Sequence, residues 1–121
     1  MRGPAILALA AALVSACATG AEAPLVEQGY ERGSLGVAAI TRHDWAAAEK
    51  ALMRSRVRAD DPAKLINLGR VYMETGRRDE AVAAWRKALA SDRHFMAESA
   101  DGKAVSTEIL ARRALAAAEP R

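Results

Sequence analysis

Few side chains in this sequence have the type and spacing needed for chemistry. Cys17 is the sole cysteine, so its thiol is open to modification, whereas an internal disulfide would need a second one. His43 and His94 are far apart in sequence, and neither has a cysteine or carboxylate around it at a metal-ligand spacing. Both therefore read as surface histidines. No Gly-rich phosphate loop, nucleophile elbow or HExxH pattern occurs. The expectation is a protein without a catalytic centre, a metal or a cofactor. What remains is recognition chemistry on one short stretch. Asn67 carries an amide that can pair with an extended backbone, Arg70 offers a fork for a carboxylate, and Met73 adapts to irregular apolar side chains.

Composition bounds what can position these groups. A chain of 121 residues, 51% hydrophobic, 27% charged and 4% aromatic, has room for one small helical domain. Much of the apolar share is alanine, which favours helix but buries little area, so the core rests on Leu35, Leu52, Leu68, Tyr72, Trp85 and Leu89. The net charge of +3 comes from 18 basic and 15 acidic residues interleaved along the chain. That is the pattern of solvated helical surfaces, and without a basic face bearing stacking aromatics no nucleic-acid partner is expected.

Residues 1–16 have the layout of a signal peptide: Arg2, an apolar run from Ala5 to Val14, then small residues. The run is too short for a bilayer span, which takes about 20 apolar residues. Val14-Ser15-Ala16-Cys17 follows and resembles the lipobox of bacterial lipoproteins. The resemblance implies acyl chains on Cys17, cleavage before it, and an exported protein held to a membrane and facing the periplasm. Ala18, standing where Asp would signal retention at the inner membrane, leans toward the outer one. Several acyl chains give durable attachment, at about 0.8 kcal/mol per buried methylene. Residues 17–29 are small, acidic or turn-forming and read as a flexible tether that could extend about 40 Å.

A period of 33 residues organises the rest. Leu35-Gly36 recurs as Leu68-Gly69, Ala48 as Ala81, Leu52 as Trp85, and Ser55 as Ala88. The better copy, 62–92, resembles a tetratricopeptide repeat (TPR) at Leu65, Leu68-Gly69, Tyr72, Gly76, Ala81, Trp85 and Ala88-Leu89, although Arg93 stands where the family usually has Pro. Small residues at Gly69 and Ala81 let the two helices approach, while the bulky ones fill the seam. A degenerate copy covers about 29–61. Its first helix carries Gly33 and Gly36, each costing about 1 kcal/mol relative to Ala, and is expected to fray over 30–34. Asp61 and Pro62 start the third helix, Gly76 ends it, and Asp79 is the expected cap of the fourth. Trp45 reads as a seam residue beside the first turn.

Residues 93–105 contain the turn dipeptide Asp101-Gly102 and read as a structured loop, with a short hairpin as the alternative, since the flanks are too short for an independent ribbon. Ser106 caps a last helix in 106–121, running over 107–118. Its Leu110, Ala111, Ala114, Leu115 and Ala118 share one arc, and Ile109 is left on the polar side. The fold class is therefore all-α: a short solenoid of two TPR-like repeats and a closing helix.

The resemblance implies a concave surface lined by the first helix of each unit: Ile66, Asn67, Arg70, Met73 and Glu74 in the better repeat, and Tyr30, Val37 and Ile40 in the poorer one. Two readings of these residues stay open, a groove for a protein or peptide partner and the plain solvent face of a helix. TPR units hold other proteins and share no chemistry, so the implied role is a lipid-anchored scaffold or adaptor in the envelope. A narrower form is an accessory lipoprotein of pilus or secretion assembly. The alternative is a structural homo-oligomer, a homodimer for instance, that self-associates through the uncapped first repeat, since such arrays generally need about three units.

Overall fold

The computed structural model describes residues 24–119. The leader, Cys17 and the first part of the tether lie outside the described residues. In chain order the elements are α1 (Val37–Thr41), α2 (Trp45–Arg54), α3 (Pro62–Glu74), α4 (Arg78–Leu89), β1 (Met96–Glu98), β2 (Ala104–Ser106) and α5 (Thr107–Ala118). The chain is mostly helical, with a small antiparallel sheet where an all-α fold was expected. No helix among the described residues is long and apolar enough to cross a membrane.

Local chemistry accounts for most helix starts. Asp44 accepts the Ala47 amide at 3.1 Å, Asp61 accepts Lys64 at 3.1 Å with Pro62 at the first helical position, and Ser106 accepts Glu108 at 3.2 Å. The fourth helix departs from expectation. Arg77 occupies its N-cap position without a side-chain capping bond, and Asp79 lies in the first turn, where its charge complements the helix dipole but caps nothing.

The α3–α4 pair is the centre of the molecule. A methyl on Gly69 would overlap the Trp85 indole ring, so only glycine lets the two helices meet there. The indole N–H donates to the Ile66 carbonyl at 3.2 Å. Ala81 and Ala88 are fully buried on the facing side. Arg77 ties three helices together: it pairs with Glu49 of α2 at 2.5 Å and lies 4.4 Å over the Tyr72 ring of α3. The last helix packs antiparallel to α4, because Arg78 near the start of α4 bonds the Ala118 carbonyl at the end of α5. Leu110 and Ala111 are buried, while Ala114, Leu115 and Ala118 are half-buried and Ile109 is exposed.

The first unit is less regular than its sequence partner. Its first helix spans only the five residues of α1. Gly33 and Gly36 adopt φ of 85° and 66°, conformations that end a right-handed helix, so residues 31–36 form turns in place of a fraying helix. Gly36 also sits against Ala48 and Leu52 of α2. Trp45 is half-buried against the cluster of Ile40, Leu52, Leu68 and Val71 and stacks on His43, with ring centroids 5.4 Å apart.

The segment expected to be a tether through Gly29 is packed from Pro24 onward. Leu25 bridges Ser99 in antiparallel fashion, the Val26 amide donates to the Glu98 carbonyl at 2.9 Å, and the Ala100 amide donates to the Pro24 carbonyl at 2.8 Å. This extended segment, bridged to the chain beside β1, supports a hairpin in residues 93–105 where a loop was favoured. Met96 lies opposite Ser106, Ala97 opposite Val105 and Glu98 opposite Ala104, and β1 gains a partner on each side. Leu25 and Leu35 close a cluster with Ala63, Ala97 and Leu110, Tyr30 and Val37 resting on it.

Candidate functional site

The residues expected to line one groove divide into three groups, with Ile40 apart from all of them. Asn67 is fully buried, with 1% of its surface exposed. Its Oδ1 accepts the Leu25 amide at 3.2 Å, and its Nδ2 donates to the carbonyls of Leu25 at 3.4 Å and Leu35 at 3.0 Å. The amide therefore does pair with an extended backbone, but that backbone belongs to the same chain. The open choice between groove and solvent face resolves at this position to neither.

Ile66, Val37 and Tyr30 are half-buried around the same cluster as Leu25. The Tyr30 hydroxyl donates to both carboxylate oxygens of Asp61, at 2.9 and 3.2 Å, so it braces the N-cap of α3. Burial first, then the bond to Asp61, pushes the Tyr30 phenol well above its ordinary range. Ile40 packs in the separate core between α1 and α2 and is 1% exposed, which removes it from any partner surface.

Arg70, Met73 and Glu74 form the third group, at the C-terminal half of α3. Arg70 and Met73 are half-buried and Glu74 is exposed. Burial pushes the Arg70 guanidinium below its ordinary value, and the charge of Glu74 opposes that shift. Of the eight residues, these are the ones the fold leaves together and reachable from solvent on α3.

Two features escaped the sequence reading. Pro24-Leu25-Val26 is the one apolar triplet in a stretch of small and acidic residues, and that contrast was the available signal. His94 is half-buried, not a surface residue. Its Nε2 lies 3.1 Å from the Leu89 carbonyl and its Nδ1 3.1 Å from Thr107 Oγ1. A carbonyl only accepts, so Nε2 carries a proton, while Thr107 Oγ1, paired with Nδ1, also accepts the Phe95 amide at 3.3 Å. The ring thereby pins the end of α4 to the start of α5. No group of three or more His, Cys, Asp or Glu that could hold a metal occurs among the described residues.

Residues 62–95 match the tetratricopeptide repeat family, a span that takes in α3, α4 and the approach to β1. No curated protein and no solved structure matches the chain.

Proposed function

We propose that this chain, which carries a tetratricopeptide repeat at residues 62–95, is a non-catalytic adaptor of the bacterial envelope. In this reading Cys17 bears acyl chains that hold it to the periplasmic side of the outer membrane, and two stacked repeats with α5 as the closing helix form a short solenoid. Such repeats serve to hold other proteins. The observation that carries the reading is the repeat itself, together with the reachable Met73 and Glu74 on its first helix. The partner docks there, since the Asn67 end of the same helix is filled. Recruitment to a pilus or secretion assembly is the narrower form of the proposal.

Two measurements test it. Proximity labelling from the anchored protein in its native envelope should mark a reproducible neighbour, and the double change Met73→Asp with Glu74→Arg should abolish that mark while helical circular dichroism stays unchanged. An unchanged neighbour set rejects the Met73 surface. Separately, Cys17→Ser should shift the protein from the membrane fraction to the soluble fraction and remove labelling by radioactive palmitate; retention of both rejects the anchor.

A further inference from the structure

From Lys50 to Arg58 the chain carries Lys50, Arg54, Arg56 and Arg58 and no carboxylate. On α2, Lys50, Met53 and Arg54 share the arc opposite the buried Ala48 and Leu52, and all three are exposed. Met53 is 61% exposed, an apolar tip set between charges. Ser55 ends α2 in an extended conformation, and the linker then alternates: Ser55 and Val57 are half-buried, while Arg56 and Arg58 are exposed.

The linker is held in this pose from beneath. Val57 packs on the cluster that contains Leu25 and Leu35, and the buried Lys64 donates from Nζ to the Val57 carbonyl at 3.1 Å. Arg58 is neutralised by Asp60, which accepts two guanidinium bonds at 2.9 Å. None of Lys50, Arg54 and Arg56 forms an ion pair among the described residues. Arg54, in the last turn, complements the dipole of α2, but with Lys50 four positions before it makes a like-charge pair that destabilises a helix. Folding alone thus gives no reason for these cations to surround an uncovered methionine.

Charge, exposure and position point to a lipid surface. Long cationic side chains lay their stems along an apolar boundary and keep their heads at phosphate level, and a thioether between them enters the boundary itself. Nucleic acid is the poorer match, because no stacking aromatic lies between Lys50 and Arg58. The packed chain begins at Pro24, so the reach from Cys17 to the fold cannot exceed about 25 Å, less than the width of roughly 30 Å of a domain this size. Leu25 and Val57 belong to one cluster, so the tether enters the fold beside the basic linker. We propose that Lys50, Met53, Arg54 and Arg56 form a docking surface for anionic lipid headgroups, on which the domain lies beside its own anchor. The proposal rests on the envelope reading for the nearness of a membrane, whereas the charge and exposure of the face stand apart from it.

The test uses the full acylated chain in vesicles of phosphatidylcholine alone and of equimolar phosphatidylglycerol and phosphatidylcholine. Hydrogen exchange at the amides of 56–58, which lie outside helix and strand, should slow in the anionic vesicles only. This protection should vanish at about 1 M salt, where the screening length falls to about 3 Å. Each cation near an anionic surface is worth about fivefold in partition, so Lys50→Glu with Arg56→Glu should abolish the protection. The matched reversal Arg86→Glu with Lys87→Glu, exposed on α4, should leave it intact. Circular dichroism should stay unchanged in both variants. Equal exchange on the two vesicle types overturns the proposal; so does equal loss from the two reversals, which would reduce the effect to net charge. In low salt the Cys17→Ser chain should also prefer anionic vesicles, by a margin that the Lys50 and Arg56 reversal removes. That result upholds the face even if Cys17 takes up no palmitate, whereas an anchored chain without anionic protection rejects the face and leaves the anchor standing. At physiological salt the preference is too weak to retain an unacylated chain, so the release expected of Cys17→Ser stands.

Discussion

At Asn67 one side chain satisfies three backbone groups that burial would otherwise leave without water. Each buried polar group stranded in this way costs about 1–3 kcal/mol. Asn67→Ala is therefore expected to lower stability by about 3 kcal/mol in urea unfolding, whereas an asparagine on the solvent face would change it by no more than about 0.5 kcal/mol. Gly69 makes the opposite kind of demand, for absence of side chain. Gly69→Ala would gain about 1 kcal/mol of helix propensity, but its methyl meets the Trp85 ring and displaces the indole from Ile66. Overpacking of this kind costs about 1–3 kcal/mol and a lost hydrogen bond about 1 kcal/mol, so a net loss is expected. A lowered melting temperature with altered tryptophan fluorescence is the result to look for, and a raised one would show that the helices have room.

At the scale of elements, α1 and the turn before it depend on contacts with α3 more than on their own helical preference. Tyr30 bonded to Asp61 is the clearest of these. Because burial and Asp61 raise the Tyr30 phenol above its ordinary value of 10.0, the fold favours the neutral hydroxyl. The associated stability is fully present below that ordinary value and is lost as pH rises through and beyond it. Unfolding free energy measured across the alkaline range should fall, and Tyr30→Phe should flatten the decline; an equal slope in both proteins would show that this contact carries none of it. The hairpin makes the same point about context. Three residues per strand do not hold a ribbon alone, and this one stands because Leu25 pairs with it from outside and Ala97 is buried beneath it.

Across the described residues, regular packing is concentrated in α3, α4 and α5, with the Pro24–Val26 segment, the hairpin and α1 arranged around them. Helices tied by Trp85, Arg77 and the His94–Thr107 pin should open last. Hydrogen exchange is expected to be fastest over 28–41 and slowest in α3 and α4; protection of α1 equal to that of α3 would contradict this order.

The parts of the fold legible in sequence are those decided within a few residues. Asp44, Asp61 and Ser106 cap their helices because a short polar side chain reaches an amide two or three positions on, and Gly69 opposite Trp85 marks a close helix pair within one repeat. The 33-residue recurrence likewise placed α2, α3 and α4 in order. It overrated α1, where positive φ at Gly33 and Gly36 overrode the repeat pattern. The candidate site was legible only as side-chain types. Asn67 reads as an amide able to hold an extended backbone, and it does hold one, but that the backbone is Leu25 depends on an approach across 42 residues of chain. Strand pairing and burial of that kind draw their stability from partners remote in sequence, so the apolar triplet at Leu25 signals burial but composition and spacing near either residue do not name the partner. The sequence by itself determined a helical repeat with an amide on its inner helix; the tertiary structure alone decided that the amide faces inward, onto the chain's own backbone at Leu25 and Leu35.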